Sequence, residues 1–279
     1  MITFREIGYW GRLGNQMFQF AACVGISRKI GAEAKFPIEN CFVFQRTGPF
    51  DPVLGSNIDV RCELLHCFDI PGEYFIPGRH LRSDRVYSER DFTFDSSAFQ
   101  IPDFTAINGY FQTEKYFAHC QDEIRKIFTF KEEILKEAES FKSKINFEGK
   151  EIVSLHVRRT DYVHTANHHP PCPIEYYNEA MSRFNPDNSI YMVFSDDPDW
   201  CKQNLSGQNL IFSELQNSYQ EMCCMSLCDH HIIANSSFSW WGAWLNPSPT
   251  KKVVAPSRWF GPALPKDTRD VYSDSWIKI

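Results

Sequence analysis

The chain contains no uninterrupted apolar run of the roughly 20 residues that a bilayer span requires. Residues 1–10, MITFREIGYW, carry charged side chains and lack the apolar core of a secretory signal. The expectation is therefore a cytoplasmic protein with no transmembrane segment, although peripheral association with a membrane surface remains compatible. In that setting the ten scattered cysteines read as reduced thiols, not as a disulfide framework. Basic charge is also scarce: 29 Lys and Arg stand against 35 Asp and Glu, for a net charge of -6. A general nucleic-acid binder needs a basic stripe, so that class is excluded and any anion site must be local. There is no GK[ST] phosphate loop and no GxGxxG fingerprint. The stretches HTANHHPPC and CCMSLCDHH hold His and Cys, but neither has the paired spacing of a structural zinc site.

What is present is apolar and aromatic. Hydrophobic residues make up 43% of 279 and aromatics 15%, enough for one large or two modest cores. A strand at 2–7, a glycine turn and a helix from about Gln16 open the chain, with Met17, Phe20, Ala21 and Val24 at helical spacing and Gly31 as its C-cap. Residues 40–105 are punctuated by proline and glycine and read as irregular, with short helices and a strand near RVYSE. AINGYFQTEKYF gives a short strand and an aromatic turn, and 121–145 follows the 3.6-residue period of a helix. NFEGK breaks that period and sets the boundary between domains 1–147 and 148–279. Thereafter strands and helices alternate: EIVSLHV, PIEYYNEAMSRF, SIYMVFS, DPDWCKQNL, NLIFS, SYQEMCCMSLC, HHIIANS, SFSWWGAWL and KKVVAP. That alternation predicts a parallel sheet covered on both faces, with ligands at the carboxyl ends of its strands.

Polar chemistry collects at those ends. In SLHVRRTDYVH, strand alternation puts Ser154, His156 and Arg158 on one face and Val153, Leu155 and Val157 on the other. Arg158 is then the candidate anion ligand, because its planar fork suits a diphosphate. Arg159 and Asp161 read as its supports; the competing reading is a surface ion pair. In IIANSSFSWWGAWL a strand meets a helix, and Ser236 or Ser237 stands where an N-cap belongs. The helix start favours an anion, or is a plain cap. Trp240, Trp241 and Trp244 read as core. In VFSDD, Asp196 and Asp197 can accept from sugar hydroxyls, hold Arg158 or Arg159, or bind a metal, and Asp197 can instead cap the next helix. Glu221, near a helix start, can pair with the N1–H and 2-amino group of guanine, or is a solvated glutamate. In GRLGNQMFQFA the glycines allow a tight turn that puts Asn15 and Gln16 at a helix start facing the cleft between domains, or form a plain turn with Asn15 as the cap.

Taken together, GRLGNQMFQFA, INGYFQTEKYF, HVRRTDYV, VFSDD and NSSFSWWGAWL resemble, in that order, the α-1,2-fucosyltransferase family. The likeness is to compact bacterial or viral members. The resemblance implies an α/β protein of GT-B type, with two Rossmann-like domains facing a cleft. It implies GDP-fucose as donor and a galactose-terminated glycan as acceptor, joined in an α-1,2 linkage with inversion and without metal or other cofactor. It assigns Arg158 to the diphosphate, with His156 and Arg159 beside it and Ser237 on a phosphate. It places a carboxylate at 221 on guanine, where the family usually has Asp. Thr160 stands where the family more often has Gly. On the acceptor side it implies Asn15, with Arg12, at the reaction centre, and Gln16, Tyr110 and Gln112 nearby. The base that takes the acceptor proton stays open among Asp161, Glu175, the His164–His169 cluster and a phosphate oxygen. The alternatives are a sibling GDP-sugar transferase, with another linkage or deoxysugar, and a silent nucleotide-sugar or glycan-binding protein.

Overall fold

A computed structural model describes residues 1–41, 46–51, 56–145, 147, 149–207, 209–264 and 266–279. The chain forms two compact units, Met1–Lys131 with Asp267–Ser273, and Glu132–Lys266 with Asp274–Ile279. The expected boundary at 147/148 falls later than this division. The difference is the helix Glu132–Ser143, which lies with the second unit, where Lys142 donates to the Leu227 carbonyl at 2.5 Å.

The first unit holds a parallel sheet in the order Phe75–Ile76, Ala34–Pro37, Ile2–Thr3, Thr105–Asn108, Arg85–Ser88. Its opening strand is only Ile2–Thr3, shorter than expected, because residues 5–8 turn. The helix that follows runs Leu13–Ile30, starting earlier than expected, and ends at Gly31 in the left-handed region (φ 69°). Residues 13–27 of this helix are almost all buried. Gly25 is required for that fit: a Cβ there would lie 2.2 Å from the Tyr116 carbonyl oxygen. Two expectations for this half are corrected. Residues 40–105 hold the expected short helices, among them Leu64–Cys67 and Ser96–Gln100, and the strand Arg85–Ser88, but they also contain the strand Phe75–Ile76 and an antiparallel pair, Arg46–Asp51 with Ser56–Val60. The 121–145 segment is two helices, Gln121–Ile127 and Glu132–Ser143, parted where Phe130 bridges to Phe68.

The second unit follows the alternation read from the sequence. Its six strands are all parallel, in the order Leu210–Phe212, Ser189–Ser195, Glu151–Val157, His230–Ile232, Val253–Ala255, Ile277–Lys278. Numbered along the chain this is 3-2-1-4-5-6, the doubly wound order. The last strand, Ile277–Lys278, was not expected; it is a two-residue edge. Val153, Leu155 and Val157 bury one face in a core with Tyr177, Val193 and Ile232. Ser154 and His156 occupy the other face: Ser154 bonds to His231 (2.8 Å) and His156 packs against Phe238. Trp240, Trp241 and Trp244 are buried and touch one another through their rings.

Candidate active site

The order of the second sheet reverses between Glu151–Val157 and His230–Ile232. A ligand crevice opens outside the carboxyl ends of two strands that part in this way. The first of these ends leads into Arg158, the second into Asn235 and Ser236. The Arg158 guanidinium contacts Asp161 (Nη2–Oδ1, 2.6 Å) and Asp196 (Nη1–Oδ2, 2.9 Å). Asp196 also accepts from the Arg159 amide (2.9 Å), the Thr160 amide (3.2 Å) and the Thr160 hydroxyl. It therefore pins the turn that carries Arg158. Arg159 points elsewhere: it pairs with Asp197 (3.2 Å) and lies 3.9 Å over the Trp200 ring. Asp197 caps the helix Pro198–Asn204 by accepting from the Trp200 amide. Asp197 thus both caps the helix and holds Arg159, while Asp196 holds Arg158 and its turn.

Ser236, not Ser237, is the N-cap of the nine-residue helix Ser237–Leu245, and its hydroxyl accepts from the Phe238 amide (3.3 Å). Ser237 is the first helical residue. His156 is 5% exposed and its Nδ1 has no hydrogen-bond partner among the described residues. Burial pushes its imidazole down to about 3, so the ring is neutral at neutral pH. A buried nitrogen without a partner is costly, and a ligand group at the reversal would relieve that cost. Glu221, in the first turn of Ser218–Ser226, bonds to Ser213, just beyond the edge strand Leu210–Phe212. Burial pushes its carboxyl up to about 7, against the opposing effect of the Ser213 hydroxyl.

Two residues at this reversal escaped the sequence reading. Tyr162 lies 5.4 Å from the Arg158 guanidinium across its ring face and donates its hydroxyl to the Asn235 carbonyl (3.2 Å). Asn235 is buried and donates to the Pro170 and Trp259 carbonyls, both at 3.0 Å. Together they tie the two strand ends. Asn235 directly precedes the cap and follows a buried strand, so the strand-end rule could have found it. Of the candidate bases, Glu175 is exposed, whereas the His169 ring is packed between Tyr162 and Phe260.

The first sheet reverses between Ile2–Thr3 and Thr105–Asn108. Here Asn15 and Gln112 meet, Gln112 donating to the Asn15 Oδ1 at 2.8 Å. Gly11 (φ 75°) has to be glycine, since a Cβ there would stand 2.2 Å from the Asn15 Nδ2. Arg12 forms a two-pronged bond to the buried Glu63, at 3.0 and 3.2 Å, while its side chain stays 74% exposed. Burial pushes the Glu63 carboxyl up, but Arg12, the Leu13 amide and Arg61 outweigh it and the net direction is down. Gln16 differs from its expected place beside a ligand. It is fully buried, and its amide is engaged with the Gly11 and Arg61 carbonyls and the Glu63 amide. The amides of Tyr110 and Phe111 are both held by Glu89 (2.7 and 2.9 Å). Glu63 and Glu89 lie in the segment without periodicity, where no sequence signal marks them.

A family model described as "Glycosyl transferase family 11" matches residues 2–279. An alpha-1,2-colitosyltransferase of Escherichia coli is 31% identical, with 96% of each chain covered. A galactoside alpha-(1,2)-fucosyltransferase 1 of Aotus azarae is 24% identical over 84% of this chain and 63% of that protein. Among solved structures, POFUT1 in complex with GDP aligns with a TM-score of 0.52 at 12% identity, covering 91% of this chain and 97% of that one. This last likeness concerns the fold alone.

Proposed function

The chain belongs to glycosyl transferase family 11, and we propose that it moves L-fucose from GDP-fucose to a hydroxyl of a galactose-terminated glycan, forming an α-1,2 linkage with inversion. The observation that carries this reading is Arg158 at the reversal point of a doubly wound sheet, beside the start of the helix Ser237–Leu245. In an inverting transfer the acceptor oxygen attacks C1 of the sugar as the bond to the diphosphate breaks. The diphosphate gains negative charge in that step, so donors aimed at it stabilise the transition state more than the ground state. Arg158 and the helix start supply such donors without a metal ion. Glu221 in its carboxylate form reads guanine. Asn15 and Arg12 are the residues assigned to the acceptor.

The colitosyltransferase likeness favours a second donor. Colitose is fucose without its 3-hydroxyl. A site that hydrogen-bonds that hydroxyl rejects the analogue lacking it by about 10⁴–10⁵. Transfer from GDP-fucose and from GDP-colitose to β-galactosides in EDTA, with the linkage read by NMR, decides between them. The proposal expects fucose transfer to the 2-hydroxyl and a loss of about 10²–10³ in turnover for Arg158→Ala. No transfer from GDP-fucose, or a variant keeping more than a tenth of the rate, contradicts it.

A further inference from the structure

We propose that a polar cavity in the first unit is a subsite for a neutral sugar of the acceptor, the residue next to its terminal galactose; this rests on the galactoside reading above. The cavity measures about 330 Å³, and its rim includes Arg5, Glu6, Glu39 and Asn40. Pro37 and Leu81, both buried, give it an apolar patch, and Tyr9 adds a ring. Its residues stand at or just beyond the carboxyl ends of three adjacent strands, Ile2–Thr3, Ala34–Pro37 and Phe75–Ile76. The reversal that holds Asn15 and Gln112 flanks the first of these strands on its other side. Neighbouring strands lie about 4.8 Å apart, which puts the cavity roughly 5–10 Å from the reversal. That is about the step from one pyranose to the next.

The lining matches a hydroxyl-rich neutral ligand. Hydroxyls both donate and accept, and here two carboxylates accept while a guanidinium and a carboxamide donate. Two carboxylates against one guanidinium disfavour an acidic sugar. The polar groups are also fixed before any ligand arrives. Glu39 accepts from the Gly78 amide (2.8 and 3.1 Å), Asn40 donates to the Arg5 carbonyl (2.7 Å), and Arg5 donates to the Leu81 carbonyl (3.1 Å). Such preorganisation lowers the cost of binding. Pro37 and Leu81 suit the C–H face of a pyranose.

Two measurements test the subsite. In the first, kcat/KM is compared for lactose and for methyl β-galactoside, in the wild type and in Asn40→Ala and Arg5→Met. The disaccharide is expected to be preferred, and the ratio is expected to fall about tenfold in each variant, as the loss of a hydrogen bond or two implies. In the second, saturation-transfer NMR with lactose and no donor is expected to show contact at the glucose ring, lost in both variants. No preference for the disaccharide, an equal fall on both acceptors, or no contact at the glucose ring overturns the subsite. Failure of the galactoside reading looks different: no transfer to either acceptor.

Discussion

Glu221 is a side chain whose charge changes near neutral pH. Burial raises its carboxyl to about 7, so near neutrality a large fraction is protonated. The proposed pairing with the N1–H and 2-amino group of guanine requires the carboxylate, so on that reading GDP must expel the proton. Affinity for GDP is then expected to weaken by about tenfold from pH 8 to pH 6, and Glu221→Gln to flatten the profile. Calorimetric titration across that range checks it, and a wild-type affinity independent of pH contradicts it. The sign for stability is opposite. A carboxyl raised in the folded state contributes stability below its unfolded value of about 4.3. That contribution is lost as pH rises through about 7, so the unliganded protein should unfold at a lower temperature at pH 8 than at pH 5, by this group's share. Asp161 differs from Asp196 in being half exposed, with its carboxylate on Arg158. An incoming diphosphate competes with it for the guanidinium, whereas Asp196 is also held by the Arg159 and Thr160 amides. Asp161→Asn should therefore tighten GDP binding, by up to about fivefold for an exposed ion pair. Weaker binding in that variant would show that Asp161 supports Arg158 and does not compete for it.

The helix Ser237–Leu245 packs through its tryptophans and starts at the proposed diphosphate site. Its tryptophans bury the inner side while its start stands at the sheet reversal. Ser236→Ala removes the cap and should cost about 1 kcal/mol in unfolding free energy, read by denaturant titration; no measurable loss would mean that the cap is not stabilising. Gly25→Ala tests the other unit. Its Cβ would strike backbone at Tyr116, and overpacking of this kind costs about 1–3 kcal/mol. Both elements were legible in the sequence, for different reasons. The second unit is a strict strand–helix alternation, and its strand ends gave His156, Arg158 and Asp196 directly. The Arg158–Asp196 contact was one of several open readings, since it joins strand ends 38 positions apart in chain count and only the sheet order makes them neighbours. Glu63 and Glu89 were not legible. They act by accepting backbone amides across long sequence separations, and no periodicity or composition encodes that. Gln16 was misplaced because a turn beside a helix start looks the same in sequence whether its amide faces a ligand or the Gly11 carbonyl.

The molecule carries a net charge of -6, so a nucleotide diphosphate gains nothing from its overall field. On the proposed reading, binding comes from the local arrangement at the reversal of the second sheet, where Arg158, the neutral His156 and the start of Ser237–Leu245 meet. Two carboxylates already contact Arg158 there, which makes the arginine indispensable: without it the same place is acidic. The most direct test is calorimetric titration of GDP, in EDTA, into the wild type and into Arg158→Ala, with thermal unfolding confirming that the variant is folded. The wild type is expected to bind and the folded variant to bind at least about tenfold more weakly, as loss of a charge-assisted contact implies. Equal affinity in the two proteins, or no binding by the wild type, would contradict the placement of the diphosphate.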